Sequence, residues 1–109
     1  MDDNIIITSH AFQRAKERLS LNQTAFARLA VSSYKNGLRH SEVKGKLRKY
    51  CDKIWNEHKI ANNIRIYGEN IFIFINKNLV TVYQLPTDLR KHAKYCKNKK
   101  NDKGIKAHK

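Results

Sequence analysis

Apolar residues recur on two different periods along this chain, and the change of period near Asn63 divides it into two parts. A short apolar run, Ile5-Ile6-Ile7, reads as a candidate edge strand. Ser9 then stands where an N-cap is expected, and Ala11, Phe12, Ala15 and Leu19 predict one face of a helix from His10 to about Leu19. Asn22 is placed to cap a second helix, in which Ala25, Phe26, Leu29, Ala30, Ser33 and Tyr34 repeat until Asn36-Gly37. Ser41 would cap a third, with Val43, Leu47, Tyr50, Cys51, Ile54, Trp55 and His58 inward; Gly45 weakens its start by about 1 kcal/mol relative to Ala.

From Asn63 the pattern alternates. The segments NIRIYG, NIFIFIN and LVTVYQL are rich in β-branched and aromatic residues, and Gly68-Glu69-Asn70 and Asn76-Lys77-Asn78 separate them, which predicts antiparallel hairpins. Pro86 closes the last strand, and Thr87 can cap a short helix from Asp88 with Leu89, Ala93 and Cys96 inward. Helices followed by strands predict an α+β fold, with about three helices on one face of a three- or four-stranded antiparallel sheet. Residues 1–96 would form one domain and 97–109 a flexible basic tail. On the sheet's open face Arg65 and Tyr67 would point away from Ile64 and Ile66, and Thr81 and Tyr83 away from Val80 and Val82. That face is either a cationic, hydroxyl-bearing surface or a half-wet one built from ordinary strand formers.

Charge changes this picture more than composition does. Lys and Arg number 23 against 9 Asp and Glu, a formal net charge of +14, and residues 90–109 carry +8 of it. Such a surplus favours a polyanion, because cations that neutralise phosphates release condensed counterions. Arg90, Lys91 and Lys94 are candidate phosphate contacts. A solubilising tail is the competing reading. Cys51 and Cys96 form no CxxC pair, and Cys51 with His58 falls short of a four-ligand set, so neither a disulfide framework nor a metal site is expected. The start MDDN lacks the basic residues of a signal peptide, and IFIFI is far below the roughly 20 residues that span a bilayer. A cytoplasmic protein without a membrane partner or cofactor is therefore expected, and no feature of the pattern specifies an oligomeric state.

Candidate chemistry lies in the first helix. His10, Arg14 and Arg18 are four residues apart and cover a sector of roughly 80°. His10 falls in the first turn, where free backbone N–H groups and the helix dipole favour an anion. Metal-free RNA cleavage needs a group that takes the 2′-hydroxyl proton, one that protonates the leaving 5′-oxygen, and cations that hold charge on the phosphorane. Histidine as a residue type suits either proton role, arginine the charge role, and Thr81 or Tyr83 could donate to the phosphate. The competing reading is a solvated helix face with Glu17 in ordinary surface pairs.

The pattern SHAFQRAKERL, followed later by NNIRIYGENIFIFINKNLVTVYQLP, resembles a group of small proteins of Firmicutes and their phages. Those proteins look like distant members of the barnase, colicin and RelE-like ribonuclease toxin superfamily. The similarity runs from about Ile6 to Leu89. It implies a helical segment on an antiparallel sheet, a metal-independent endoribonuclease site, and an antitoxin protein as candidate partner. By position it implies His10, Arg14, Thr81 and Tyr83 as catalytic residues and Arg18 and Arg65 as RNA contacts; Tyr67, beside Arg65, joins them. The helices between Asn22 and His58 are longer than in compact RelE-like toxins. Two other readings stay open. One is a non-enzymatic nucleic-acid-binding accessory or regulatory protein, in which residues 23–49 form a helix-turn-helix with Lys44, Lys46, Arg48 and Lys49 on its second helix. The other is a protein–protein module.

Overall fold

The computed structural model describes residues 5–58 and 61–107, with side chains through Asn98. In chain order the elements are β1 (Ile6–Ile7), α1 (Ser9–Leu19), α2 (Gln23–Asn36), β2 (Leu38–Arg39), a 3₁₀ turn (His40–Glu42), α3 (Gly45–Glu57), β3 (Asn63–Tyr67), β4 (Asn70–Ile75), β5 (Asn78–Gln84) and α4 (Thr87–Ala107). The fold is α+β, with a sheet of five strands in the order β1-β5-β4-β3-β2. It is mixed, because β1 joins β5 in parallel while every other pairing is antiparallel.

The hairpin pattern of the second half is realised closely. Positive φ angles of 61° at Gly68 and 56° at Asn76 turn β3 into β4 and β4 into β5 in two residues each. Helix starts are less obedient to the sequence. Thr8 caps α1, its hydroxyl accepting from the Ala11 amide at 3.1 Å, so the helix begins one residue earlier than Ser9 as cap predicts. Asn22 caps α2 as expected. Ser41 does not cap α3; it lies in the 3₁₀ turn, Val43 and Lys44 separate that turn from the helix, and α3 opens on the left-handed backbone of Gly45, φ 63°. α4 runs 21 residues to Ala107 where a short helix and a tail from 97 are predicted; residues 108–109 lie outside those described.

The largest departure concerns the faces of the sheet. Both are covered. On one side Ala11 and Ala15 of α1 and Phe26 and Ala30 of α2 pack on Phe72, Phe74, Leu79 and Val82. On the other, Leu47, Cys51 and Ile54 of α3 and Leu89 and Ala93 of α4 pack on Ile64, Ile66, Ile71 and Ile73. The helical block is thus split by the sheet, and the expected open face does not exist. The IFIFI run explains why: all four residues Ile71 to Phe74 are buried, Ile toward one layer and Phe toward the other. The same division rules out the helix-turn-helix, since α2 and α3 lie on opposite faces and β2, paired in the sheet, intervenes between them.

A β-bulge decides where the hydroxyls of β5 point. Ile73 pairs with Thr81 and Phe74 with Leu79, so Val80 has no partner on β4. Leu79 faces the α1/α2 side, and alternation alone would keep Thr81 there. The extra residue instead sets Thr81 and Tyr83 opposite Ile73 and Ile71, on the α3/α4 side. Val80 and Val82, predicted to share a face, are on opposite ones. Arg65 and Tyr67 flank Ile66 and belong to the α1/α2 side, so the predicted quartet of Arg65, Tyr67, Thr81 and Tyr83 is divided between two layers.

Candidate functional site

α1 lies along the outer edge of β5. Its start is tied there by Thr8, whose amide and hydroxyl both donate to the Leu79 carbonyl at 3.1 and 3.0 Å. β1 pairs only with Asn78 and Leu79, because the chain turns into α1 at Thr8. Beyond Leu79 the edge of β5 has no neighbouring strand among the described residues.

The row on α1 winds toward that edge. Each step of four residues rotates a side chain by about 40° and advances it about 6 Å, so His10 is exposed, Arg14 half-buried, and Arg18 reaches the strand. The Arg18 guanidinium donates through one nitrogen to the Thr81 hydroxyl at 3.2 Å and the Val82 carbonyl at 3.0 Å. Its carbon stands 4.3 Å from the Tyr83 ring centroid, a cation–π distance. An arginine from one layer thus crosses an open strand edge and meets the hydroxyl-bearing side chains of the other.

Tyr83 extends the cluster. Its hydroxyl lies 3.0 Å from His58 Nε2, and donates to it when the imidazole proton is on Nδ1. The two rings are 5.9 Å apart. His58 is the C-cap of α3, its amide donating to the Ile54 carbonyl at 3.0 Å. Tyr50, one face of α3 away, is held above the usual phenol range, first by burial and then by the nearness of Tyr83. Arg18, Thr81, Tyr83, His58 and Tyr50 therefore form a polar group on the rim of an aliphatic core.

The predicted residues separate into four places. Arg18, Thr81 and Tyr83 are together. His10 and Arg14 pair with each other, Arg14 Nε donating to His10 Nε2 at 3.3 Å, and Arg14 also bridges Glu17 at 2.8 Å. The Arg14 bond to Glu17, with a further one from Gln13, holds the Glu17 carboxyl below its ordinary range. Arg65 sits apart: it donates to the Tyr34 carbonyl at 2.7 Å in the last turn of α2 and to Asn63 at 2.8 Å, and its guanidinium is 5.4 Å from the Tyr34 ring. Burial, with Arg39 nearby, lowers its affinity for its proton. Tyr67, Arg90, Lys91 and Lys94 line a separate groove beside α4.

Exposure assigns different tasks within the edge cluster. Thr81 is only 4% exposed. It can orient Arg18 but has little surface for a substrate, whereas Tyr83, His58 and Arg18 are half-buried and reach solvent. Neither His58, weighed from the sequence only as a metal ligand beside Cys51, nor Tyr50 is among the predicted catalytic or nucleic-acid-binding residues. Their spacing on α3 reads as core periodicity, and nothing in it shows that His58 meets a tyrosine 25 positions later. Among the described residues no three His, Cys, Asp or Glu side chains converge as a metal site would require. No helix among them is long and apolar enough to cross a membrane.

No protein-family model, curated protein or solved structure matches the chain.

Proposed function

We propose that this chain acts on RNA as a metal-independent endoribonuclease of the RelE-like toxin type, working at the open edge of β5. The observation that carries this reading is Arg18, which joins the basic row of α1 to Thr81 and Tyr83, with His58 on the Tyr83 hydroxyl. A phosphodiester lying along the edge would meet a guanidinium, a phenol and an imidazole within one patch. The resemblance of SHAFQRAKERL and LVTVY to ribonuclease toxins implies Arg18, Thr81 and Tyr83 among these, while His58 enters on geometry alone.

The chemistry divides among them as follows. Arg18 stabilises charge on the phosphorane, and Thr81 with the Val82 carbonyl fixes its direction. The 2′-hydroxyl loses its proton to His58 Nδ1 as its oxygen attacks phosphorus, in the tautomer whose Nε2–H donates to the Tyr83 oxygen and leaves the Tyr83 O–H free. The P–O5′ bond breaks and the leaving oxygen takes a proton from a second donor, the role assigned to Tyr83. The products are a 2′,3′-cyclic phosphate and a 5′-hydroxyl. His10 and Arg14, about 12 Å back along α1 at its extreme, hold a flanking phosphate at the positive end of the helix dipole. The setting is cytoplasmic, and an acidic antitoxin is a fitting partner for a surface of this charge.

The test is RNA incubated with purified protein in the presence of a chelator, comparing Arg18→Ala, His58→Ala, Tyr83→Phe and His10→Ala. Cleavage with cyclic-phosphate ends, lowered by on the order of 100-fold or more by the first two, is expected. Saturable RNA binding without cleavage at enzyme excess would replace the enzymatic reading with the non-enzymatic accessory one.

A further inference from the structure

α4 bounds a groove at the far side of the sheet from Arg18, about 430 Å³ in volume, within the size range of ligand sites. Its floor is apolar, made by Leu38 of β2, Ile66 of β3 and Ala93 of α4, each less than a tenth exposed. Tyr67 forms one wall. The other carries Arg90, Lys94 and Lys97 at helical spacings of four and three, hence on one face of α4 and about 5–6 Å apart. Lys91 stands at the rim.

The charges are not equally occupied. Arg90 is held in place, donating to the Leu85 carbonyl at 3.1 Å and lying 3.6 Å from Glu69. Lys97 lies over the Tyr67 ring at 5.7 Å. Lys91 and Lys94 are exposed and meet no carboxylate among the described residues. Four cations against the single carboxylate of Glu69, above an apolar floor with an aromatic wall, suit a chain that alternates negative charge with flat apolar faces. That is single-stranded nucleic acid, whose unstacked bases lie on apolar and aromatic surface while cations follow its phosphates.

We propose that this groove is a second RNA-binding site, taking a single-stranded stretch away from the cleaved linkage. Phosphates lie on Lys91, Lys94 and Lys97, and one base lies against Tyr67 at the mouth of the Leu38, Ile66 and Ala93 floor. The inference rests on the RNA reading and adds to it a contact two strands from β5, at least about 10 Å across the sheet. The cut site and the grip are therefore separate surfaces.

The probe is a fluorescent 12-nucleotide oligouridylate whose 2′-hydroxyls are all methylated, so that it cannot be cleaved, titrated with the full chain. Lys91→Glu with Lys94→Glu is compared with Lys46→Glu with Lys49→Glu, which changes net charge equally on exposed positions of α3, folding being checked by circular dichroism. The groove pair is expected to weaken binding at least tenfold and to lower the slope of log affinity against log salt by about 1.4; the control pair should weaken it less than threefold. Equal losses in the two pairs, or equal affinity for the duplex form, would overturn the groove. An oligoglutamate peptide that binds more tightly than the oligonucleotide, and is lost in the groove pair, would also overturn it in favour of an acidic protein segment. If no RNA is cleaved yet the groove pair loses binding, the groove stands and the enzymatic reading fails. Cleavage with unchanged binding in the groove pair sinks the groove alone.

Discussion

The two faces of the sheet bury apolar surface in different ways, and the difference locates the polar chemistry. Against α1 and α2 the core is aromatic: Phe26 packs edge-on to Phe12 at 5.9 Å and stacks on Phe72 at 6.2 Å, while Tyr34 meets Phe74 at 5.3 Å. Against α3 and α4 it is aliphatic, and its rim admits Tyr50, Tyr83 and His58. Large rings interlock and fix α1 along β5, which holds Arg18 at the edge. Smaller aliphatic side chains leave space at that edge for phenols and an imidazole. One face thus anchors α1, and Arg18 with it, and the other supplies the phenols and the imidazole that meet it.

The sharpest way to break this contrast is to truncate one core residue from each face. Phe72→Ala, fully buried among rings, should cost about 3–5 kcal/mol, and Ile73→Val, its neighbour on the aliphatic side, about 0.5–1.5 kcal/mol. Urea denaturation measures both, and equal costs would remove the distinction between the faces.

Two arginines sharpen it next. Arg18→Ala should lower RNA cleavage by on the order of 100-fold or more while costing about 1 kcal/mol in stability. Arg65→Ala, which releases the Tyr34 carbonyl on the aromatic side, should do the reverse, costing about 1.5–3 kcal/mol with cleavage within a few-fold of wild type. Paired cleavage assays and denaturation curves read the exchange of roles.

How far the sequence anticipated these places depends on the range over which each signal acts. Hairpins and helix α2 were legible because turn residues and caps act within a few positions: Gly68, Asn76 and Asn22 behave as their types suggest. The row His10, Arg14 and Arg18 was legible as a row for the same reason. The side of the sheet on which each helix packs was not, because the unbroken IFIFI run signals burial on both faces without saying which helix covers which. Pairing between Thr81 and Ile73, and between His58 and Tyr83, depends on register across the sheet, which no local period encodes.

Smaller effects probe the aliphatic face through its titrating groups. Burial pushes the Cys51 thiol up to about 12 from an ordinary 9. Its folded pKa is raised, so the stability it contributes is complete below about pH 9 and is lost as pH rises from there toward 12. Denaturation midpoints should fall over that range, less so in Cys51→Ala, and a thiol reagent at neutral pH should modify the half-buried Cys96 while sparing Cys51. Smallest of all is the surface pair of Asp52 and His40, 2.6 Å apart beside Trp55. The His40 bond, with help from Arg48, lowers the Asp52 pKa, so its contribution is present above the ordinary carboxylate range and disappears as pH falls through the lowered value. Asp52→Asn should flatten the acid limb of stability slightly, measured as thermal midpoint between pH 5 and 2.

The unpaired Val80 gives β5 a phase as well as a sequence. Before it, odd-numbered positions look toward the aromatic layer; after it, even-numbered ones do. Losing or gaining one residue at this point would leave every side chain chemically intact and exchange what the downstream half of the strand presents on each side. The segment LVTVY is therefore constrained by its count of residues as strictly as by their identities, and a length change there acts on the molecule as a frameshift acts on a message.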